Sequence, residues 1–228
     1  MCSRYSLTSP AEAVRSYFKV AASDDFPPRY NIAPTQPVPI VRTSFAGERE
    51  LVLVRWGLIP GWVKDPRAFT TLLNARSETV VEKPSFRNAM KYRRCLVPAD
   101  GFYEWTGPTS DKRPHFIRPK AGGPIAFAGL WEHWQGVDGS ELETMAICTT
   151  SPNRTIAAIH DRMPVILQPD LFDDWLNVRD VPATDALRFL QPAPDDLLEL
   201  FAVSKAMGNS RNDGPELQRP IGQQGRLV

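Results

Sequence analysis

The chain has 228 residues, of which 42% are hydrophobic and 23% charged, and its formal net charge is +1 at pH 7. These proportions are typical of an ordinary globular protein, and no apolar run approaches the roughly 18 residues of a membrane span. The small net charge argues against a general nucleic-acid coat. The charge is uneven, however: residues 1–114 hold 17 Lys and Arg against 11 Asp and Glu, and residues 115–228 hold 10 against 15. A basic half of this kind could line a groove for phosphates, although scattered, solvated charges would give the same totals.

The cysteines and the N-terminus indicate a reducing compartment. Cys2, Cys95 and Cys148 are widely spaced, without the pairing of a metal site. The N-terminus lacks the basic and apolar regions of a signal peptide, so we expect a cytoplasmic protein with free thiols. No Cys/His cluster, Walker motif or dinucleotide motif is present, and we therefore expect neither a metal nor a cofactor.

The first predicted element is a helix. Ser9-Pro10-Ala11-Glu12 has the pattern of a helix start, with Ser9 as N-cap and Pro10 at the first helical position. The helix is predicted to run to about residue 20. A proline-rich irregular stretch follows over residues 26–39, and the 22 prolines of the chain predict further long, structured loops.

Strands outnumber helices in the rest of the chain. Strands are predicted at 38–43 and 51–56 (around the Ala46-Gly47 turn), 95–98, 101–105, 115–118, 125–131, 143–149, 163–167 and 201–203. Helices are predicted at 170–177, 184–190 and 195–200, and a short helix is predicted to begin at or flank 74–79. We therefore expect one α+β domain over residues 1–220, built around a strongly bent, mostly antiparallel, barrel-like β-sheet with flanking short helices. Residues 221–228 are predicted to form a loose tail.

Cys2 is the first candidate for chemistry. If the initiator methionine is removed, as is usual before a small residue, Cys2 carries both a free α-amine and a thiol. An α-amine has a pKa near ~8, against about 10.4 for lysine, so part of it is neutral and nucleophilic at physiological pH. A 1,2-aminothiol condenses with an aldehyde to an imine, and the thiol then closes a thiazolidine ring. The alternative is a frayed terminus without a role.

Glu104 lies in an unusually aromatic strand. The alternation of a strand places Glu104 with Phe102 on one face and Tyr103 with Trp105 on the other. A carboxylate in such a strand either lies at a wet sheet edge or is buried for a purpose. If the aromatic neighbours desolvate it, its pKa should rise, which favours acid–base work.

Asn74 and His160 complete the set of catalytic candidates. His160 precedes a predicted strand and is better placed for a site than His115 or His133. The alternatives are a helix cap or turn for Asn74 and a structural or surface role for His160.

The chain resembles the SRAP family, the SOS response-associated peptidases. The resemblance rests on seven motifs in the family's order: Met1-Cys2-Ser3-Arg4-Tyr5, Tyr30-Asn31-Ile32-Ala33-Pro34-Thr35, Arg55-Trp56-Gly57-Leu58-Ile59-Pro60, Asn74-Ala75-Arg76-Ser77-Glu78, Arg94-Cys95-Leu96-Val97-Pro98, Gly101-Phe102-Tyr103-Glu104-Trp105 and His160-Asp161-Arg162-Met163-Pro164. Ser3 departs from the pattern, since the family usually has glycine there.

The resemblance implies a sensor of abasic sites in single-stranded DNA, which shields the lesion through a thiazolidine crosslink between Cys2 and the ring-opened sugar aldehyde. In this interpretation Asn74 holds the nucleophile, Glu104 moves protons, and His160 protonates the ring oxygen or steadies the aldehyde oxygen. The predicted DNA contacts are Arg4, Pro34, Trp62, Arg76, Thr149 and Arg162. The three arginines would contact phosphates, and the tryptophan and proline would stack on flanking bases.

Two other functions use much the same residues. One is a cysteine peptidase with an N-terminal nucleophile, which would fit the family's presumed removal of its own Met1. The other is a non-covalent single-stranded DNA binding module in which Cys2 is incidental. We expect a monomer that binds abasic single-stranded DNA and no membrane, is associated with a bacterial nucleoid, and is a candidate for contact with replication-fork proteins.

Overall fold

The computed structural model describes residues 2–21 and 25–221. The strands are β1 (Tyr5–Leu7), β2 (Arg29–Ile32), β3 (Pro37–Thr43), β4 (Arg49–Trp56), β5 (Asn74–Arg76), β6 (Arg94–Ala99), β7 (Gly101–Thr106), β8 (Arg113–Pro119), β9 (Ile125–Gln135), β10 (Glu141–Thr150), β11 (Met163–Pro164), β12 (Ile166–Leu167) and β13 (Leu198–Ala202). The α-helices are α1 (Ala11–Phe18), α2 (Arg87–Tyr92), α3 (Arg154–Ala157), α4 (Phe172–Leu176) and α5 (Ala183–Ala186). Short 3₁₀ turns extend α4 and α5. The predicted removal of Met1 and nearly all of the predicted tail lie outside the described residues.

Five strands close into a barrel in the order β10-β4-β3-β6-β9, because β9 pairs with both β6 and β10. All pairs in this ring are antiparallel except β4 with β10, which is parallel. Strands β5 and β11 extend β10, and β12 extends β9. The prediction of an α+β fold around a bent, mostly antiparallel, barrel-like sheet is confirmed; the parallel closure was not predicted.

A second sheet carries the N-terminal strand in its interior. Its order is β13-β8-β7-β1-β2, and all its pairs are antiparallel. Tyr5 in β1 lies opposite Phe102 in β7 on one edge and Ile32 in β2 on the other. The pairing continues ahead of β1, since the Tyr103 N–H donates to the Arg4 carbonyl oxygen at 3.0 Å. The segment holding Cys2 is therefore fixed along β7.

Aromatic side chains join the second sheet to the barrel. The Tyr5 ring meets Trp56 and Phe127 edge-on, at centroid distances of 5.2 and 6.0 Å, and Phe102 also lies 6.0 Å from Phe127. Tyr103 points to the opposite face of β7, where it packs on Phe116. The predicted alternation in this strand is confirmed. Edge-on aromatic pairs of this kind add about 0.5–1.5 kcal/mol each beyond their burial.

Two helix predictions were wrong because strand pairing overrode local sequence preference. Residues 195–200 were predicted as a helix, but Leu198–Ala202 form β13, with Leu200 opposite Ile117 of β8. The segment 74–79 was predicted to open or flank a helix, but Asn74–Arg76 form β5 along β10. Both partners are distant in the sequence, so local patterns carry no signal for these ladders.

The predicted N-cap of the first helix was also wrong. Pro10 occupies the N-cap position of α1. The Ser9 hydroxyl and N–H instead donate to Asp100, both at 2.6 Å. The carboxylate of Asp100 thus ties the start of α1 to the end of β6. None of the helices in the described part of the chain is long and apolar enough to cross a membrane.

Candidate active site

The four predicted catalytic residues come together from four separate segments. Cys2 precedes β1, Asn74 begins β5, Glu104 lies in β7, and His160 lies before β11. The Asn74 amide Nδ2 donates to the Cys2 carbonyl oxygen at 3.0 Å. His160 Nε2 lies 3.7 Å from Glu104 Oε2, and the charge of Glu104 acts on the Cys2 thiol.

Asn74 is positioned by an interruption in the barrel wall. β4 pairs with β10 up to Trp56 opposite Met145, the chain then leaves the wall, and β5 rejoins β10 with Asn74 opposite Ile147. The carbonyl oxygen of Leu73, just before Asn74, accepts from the Trp56 indole N–H at 3.1 Å and from the Ile147 N–H at 3.0 Å. The backbone of Asn74 is therefore held in a fixed register by two other strands.

The amide oxygen of Asn74 supplies an acceptor at the site. Oδ1 is buried and has no hydrogen-bond partner among the described residues. Its Nδ2 already orients the Cys2 carbonyl, so the same side chain can accept a hydrogen bond from an amine of Cys2. Leaving such a buried acceptor unsatisfied costs free energy, which favours binding of a donor there.

Glu104 is buried, with 3% of its surface exposed. Desolvation raises the pKa of its carboxyl group; His160 opposes this increase and the charge of Asp161 adds to it. The direction is the one expected if aromatic neighbours desolvate the group. A carboxyl group that keeps its proton to higher pH is better suited to donate a proton than an ordinary glutamate, and its carboxylate form can take the proton back.

The hydrogen bonds of His160 define its neutral tautomer. The Arg162 backbone N–H donates to His160 Nδ1 at 2.9 Å, so in the neutral ring the proton lies on Nε2, the nitrogen nearest Glu104. Asp161 Oδ1 also lies 3.0 Å from Nδ1, but this carboxylate is 88% exposed and can turn into water. We assign the tautomer from the backbone bond, which leaves Nε2–H as a donor beside the carboxyl group.

The Cys2 thiol is held in its protonated form. The residue is 1% exposed, and burial together with the charge of Glu104 raises the pKa of the thiol. Sγ lies 3.8 Å from the Arg4 carbonyl oxygen, within reach of a weak S–H donor. The thiol is thus unsuited to attack first, and better suited to react with an electrophile that has already formed next to it.

The site opens on a cavity of about 430 Å³. The residues lining the cavity are Ser3, Arg4, Glu104, Trp105, Lys112 and His160. It presents a carboxyl group, an imidazole and two cationic side chains. Across the described residues, no cluster of His, Cys, Asp or Glu could hold a metal ion.

A family model described as SOS response associated peptidase (SRAP) matches residues 1–210. The chain belongs to the SRAP family. The resemblance predicted from the seven motifs is thereby confirmed.

Named relatives cover most of this SRAP chain. Abasic site processing protein YoqW of Bacillus subtilis is 38% identical over 221 residues, which are 95% of this chain and 98% of that protein. Abasic site processing protein HMCES of Xenopus tropicalis is 33% identical over 229 residues, 87% of this chain and 68% of that one. An X-ray structure of a protein from Bacteroides thetaiotaomicron is similar with a TM-score of 0.82 and 25% identity, covering 96% of this chain and 99% of its own.

Two of the predicted phosphate contacts in this SRAP chain are held by protein groups. The Arg4 guanidinium donates to Asn31 Oδ1 at 2.8 Å and to the carbonyl oxygens of residues 207 and 208 at 3.3 Å. Arg162 donates to both carboxylate oxygens of Glu78, at 2.5 and 2.9 Å, and to the Thr149 carbonyl oxygen at 2.7 Å. Arg162 thereby fixes the strand entrance next to His160. The assignment of Arg4 and Arg162 to DNA stays a prediction.

The other predicted DNA contacts differ in accessibility. Arg76 is exposed, and its guanidinium has no hydrogen-bond or ion-pair partner within residues 2–21 and 25–221. Trp62 is 60% exposed and lies edge-on to Phe69. Pro34 is half-buried, and Thr149 is completely buried. Arg76 and Trp62 are therefore the most accessible of the six, and contact with DNA stays a prediction for each.

Sequence reasoning missed Lys112 and Asn31. Lys112 comes after the predicted strand of Glu104, in the loop between β7 and β8, and a cation so close in the chain was the available signal. Asn31 was noted only within a motif; its buried side chain accepts from Arg4 and donates to the carbonyl oxygens of residues 207, 209 and 212. No local pattern predicts this long-range contact.

Replacing Asn74 with alanine is expected to slow any reaction of the Cys2 amine by about 100-fold, because the nucleophile loses its positioning contact. Asn74→Asp should be slowed at least as much, since a carboxylate cannot donate to the Cys2 carbonyl oxygen and places a negative charge against it. The measurement is a single-turnover rate with an aldehyde substrate, with melting temperatures to confirm folding. Wild-type rates in both variants would show that Asn74 does not position Cys2.

Proposed function

We propose that this protein captures abasic sites in single-stranded DNA by forming a covalent thiazolidine between Cys2 and the ring-opened deoxyribose aldehyde, after removal of Met1. The observation that carries the proposal is the convergence of Asn74, Glu104 and His160 on Cys2 from separate segments. The names of the relatives YoqW and HMCES, both abasic site processing proteins, support the substrate.

In the first step, the neutral α-amine of Cys2 attacks the aldehyde carbon. The nitrogen lone pair forms the C–N bond, the nitrogen gives up one proton and the carbonyl oxygen takes one up, which gives a carbinolamine. Asn74 orients the nucleophile through the Cys2 carbonyl. The His160 Nε2–H is suited to donate to the sugar oxygen as the ring opens.

In the second step, the carbinolamine loses water. Glu104 in its protonated form donates to the departing hydroxyl group, which leaves as water, and the nitrogen lone pair forms the C=N bond of a protonated imine, in which nitrogen keeps its proton. The pKa of Glu104, raised by burial, keeps this proton available. Glu104 becomes a carboxylate next to the Cys2 thiol.

In the third step, the thiol closes the ring. Sulfur forms a bond to the carbon of the protonated imine, the C=N π electron pair returns to nitrogen, which keeps the proton it already carries, and the Glu104 carboxylate takes up the proton that the thiol gives up. The overall change is aldehyde plus aminothiol to thiazolidine plus water, without an oxidant or reductant. The reverse steps use the same groups, so Glu104 and His160 would also serve the release of DNA.

The thiol chemistry favours DNA capture over a general cysteine peptidase. A peptidase nucleophile needs a thiolate with a lowered pKa, whereas burial raises the pKa of Cys2. The proposal still requires that Met1 be removed, and the family's peptidase name suggests that the chain does this itself. We include in the proposal a monomer in a bacterial cytoplasm, acting at the nucleoid and close to replication-fork proteins.

The test is a denaturing gel of the purified protein with single-stranded DNA that carries one abasic site. A heat-resistant shifted band is expected with the wild type, and none with Cys2→Ala. DNA reduced beforehand with borohydride is the matched control, because its aldehyde has become an alcohol. Absence of the band, with an intact mass that confirms loss of Met1, would contradict the proposal. It would favour a peptidase or a non-covalent DNA-binding module, which further assays would distinguish.

A further inference from the structure

We propose that Lys112 binds a backbone phosphate next to the abasic sugar, so that the β7–β8 loop is part of the DNA-binding surface. This inference rests on the proposed function and adds a residue to the same site. It depends on the state of the two cationic side chains that line the cavity, Arg4 and Lys112.

Lys112 is the uncommitted cation of that pair. The Arg4 guanidinium donates to three protein acceptors, and burial lowers its pKa. Lys112 is exposed, and its ammonium has no hydrogen-bond or ion-pair partner in the part of the chain that the structure describes. A flexible, hydrated ammonium at a cavity mouth is a suitable point charge for a phosphate.

The neighbouring charges leave Lys112 unneutralised. Asp111, next to it in the loop, accepts from Lys205 Nζ at 2.6 Å and from Arg113 at 3.4 Å. The hydrogen bond from Lys205 holds the pKa of Asp111 below its usual value. The one carboxylate adjacent to Lys112 in the chain is therefore bound to two other cations.

The backbone of the loop has a fixed shape. Gly107 begins it with φ of +85°, and a Cβ at this position would lie 2.7 Å from the Asp111 carbonyl oxygen. The ion pair between Asp111 and Lys205 ties the other end to the segment after β13. Lys112 is thus carried by a constrained loop, which lowers the cost of binding a ligand there.

Two exposed cations lie close in the chain to residues of the site, one beside each sheet. Arg76 lies two residues after Asn74 on β5, which pairs with β10 of the barrel, and Lys112 lies in the loop after β7, the strand of the second sheet that holds Glu104. An abasic sugar held between Cys2 and Glu104 carries one phosphate on each side along the strand. We assign one flanking phosphate to Lys112, and the other to the predicted contact Arg76.

The first test is the salt dependence of binding to single-stranded DNA with a tetrahydrofuran abasic analogue, which has no aldehyde and cannot crosslink. Lys112→Gln should bind about threefold or more weakly at 50 mM salt, with the slope of log Kd against log salt lower by about 0.7, the value for one lost phosphate contact. Arg113→Gln is the matched control, since Arg113 follows Lys112 directly as the first residue of β8, pairs with Asp111 and is not part of the cavity lining. An unchanged slope in Lys112→Gln, or an equal change in both variants, would overturn the proposal.

The second test replaces one flanking phosphate at a time with a neutral methylphosphonate. Lys112→Gln should weaken binding to natural DNA but not further weaken binding to DNA neutralised at the phosphate it contacts. If Lys112→Gln weakens binding by the same factor whichever flanking phosphate is neutralised, Lys112 does not contact either phosphate directly.

Crosslinking of wild-type protein to true abasic DNA is measured in parallel. If that crosslink fails while the methylphosphonate test links Lys112 to one phosphate, the covalent function is wrong and the phosphate contact stands. If the crosslink forms and the methylphosphonate test does not link Lys112 to either phosphate, only the phosphate contact is wrong.

Discussion

Cys2→Ser is expected to lose the heat-stable crosslink completely while keeping a transient imine with abasic DNA. Serine retains the α-amine, so the first two steps can proceed, but its hydroxyl group is a weaker nucleophile than a thiol and cannot close a thiazolidine. The measurement compares denaturing gels run with and without borohydride present during the reaction. Borohydride reduces the imine to a stable amine, so a shifted band should form only in its presence.

Cys148→Ala is the matched control for this experiment. Cys148 is as buried as Cys2, and burial likewise raises the pKa of its thiol, to about 12, but it lies in β10 within the core. This variant should crosslink like the wild type if its melting curve shows a folded protein. A heat-stable band from Cys2→Ser would contradict thiazolidine closure, and absence of any borohydride-dependent band would contradict attack by the amine.

Glu104→Gln is expected to slow crosslinking by about 10²–10⁴-fold, the usual contribution of a positioned acid–base group. Glutamine keeps the size of the side chain but cannot give a proton to the carbinolamine hydroxyl or take one from the thiol. The rate of the wild type should depend on pH through the raised pKa of Glu104, and this dependence should be absent in the variant. The measurement is a single-turnover pH–rate profile at saturating DNA.

Glu132→Gln is the matched control for the loss of a buried carboxyl group. Burial raises the pKa of Glu132 as it does for Glu104, but Glu132 pairs with Arg93 at 3.1 Å and lines a different cavity, next to Trp62. Its variant should keep the rate and the pH profile of the wild type. Equal slowing in both variants would attribute the effect to general damage to the fold.

Glu104→Gln is also expected to raise stability at high pH, although it slows the reaction. The folded-state pKa of Glu104 is raised above the unfolded value of about 4.3. Folding therefore favours the protonated carboxyl group. The contribution of this preference to the free energy of unfolding is fully present below the unfolded pKa and is lost as pH rises through the folded pKa. Glu104→Gln should melt above the wild type at pH 8, by about 2–4 °C for each kcal/mol, and the gap should close towards pH 4. A gap that widens at low pH would show that the pKa is lowered.

Local patterns in the sequence predicted most of the strands but not how they pair. The alternation around Phe102 and Glu104 correctly gave the two faces of β7, because strand period and burial are local properties. The parallel pairing of β4 and β10 and the pairing of β13 with β8 join residues that are distant in the sequence, such as Arg55 with Thr144 and Leu200 with Ile117. The acidic start at residues 195–196 favours a helix locally, and only the β8 edge makes the strand β13 preferable.

The catalytic candidates were found from residue chemistry and family resemblance. The contacts that surround each of them became known only from the structure. Asn74 was considered a possible cap. Its strand position depends on the pairing of β10 with two separate strands, β4 up to Trp56 and β5 from Asn74, and local sequence patterns do not show this pairing. Arg4 was predicted to face phosphate, but Asn31 and a distant loop accept its hydrogen bonds. Lys112 was overlooked because the sequence does not show which cations the neighbouring Asp111 pairs with. In the structure these are Lys205 and Arg113.

The interior position of β1 determines how the protein would withstand mechanical force. A crosslinked DNA strand pulled by a motor enzyme would apply tension through Cys2 to the start of β1. β1 is hydrogen-bonded to β7 on one edge and to β2 on the other. Tension along its axis must shear both ladders together instead of peeling one bond at a time, so under the proposed function this short strand would hold a crosslinked lesion against a pulling enzyme.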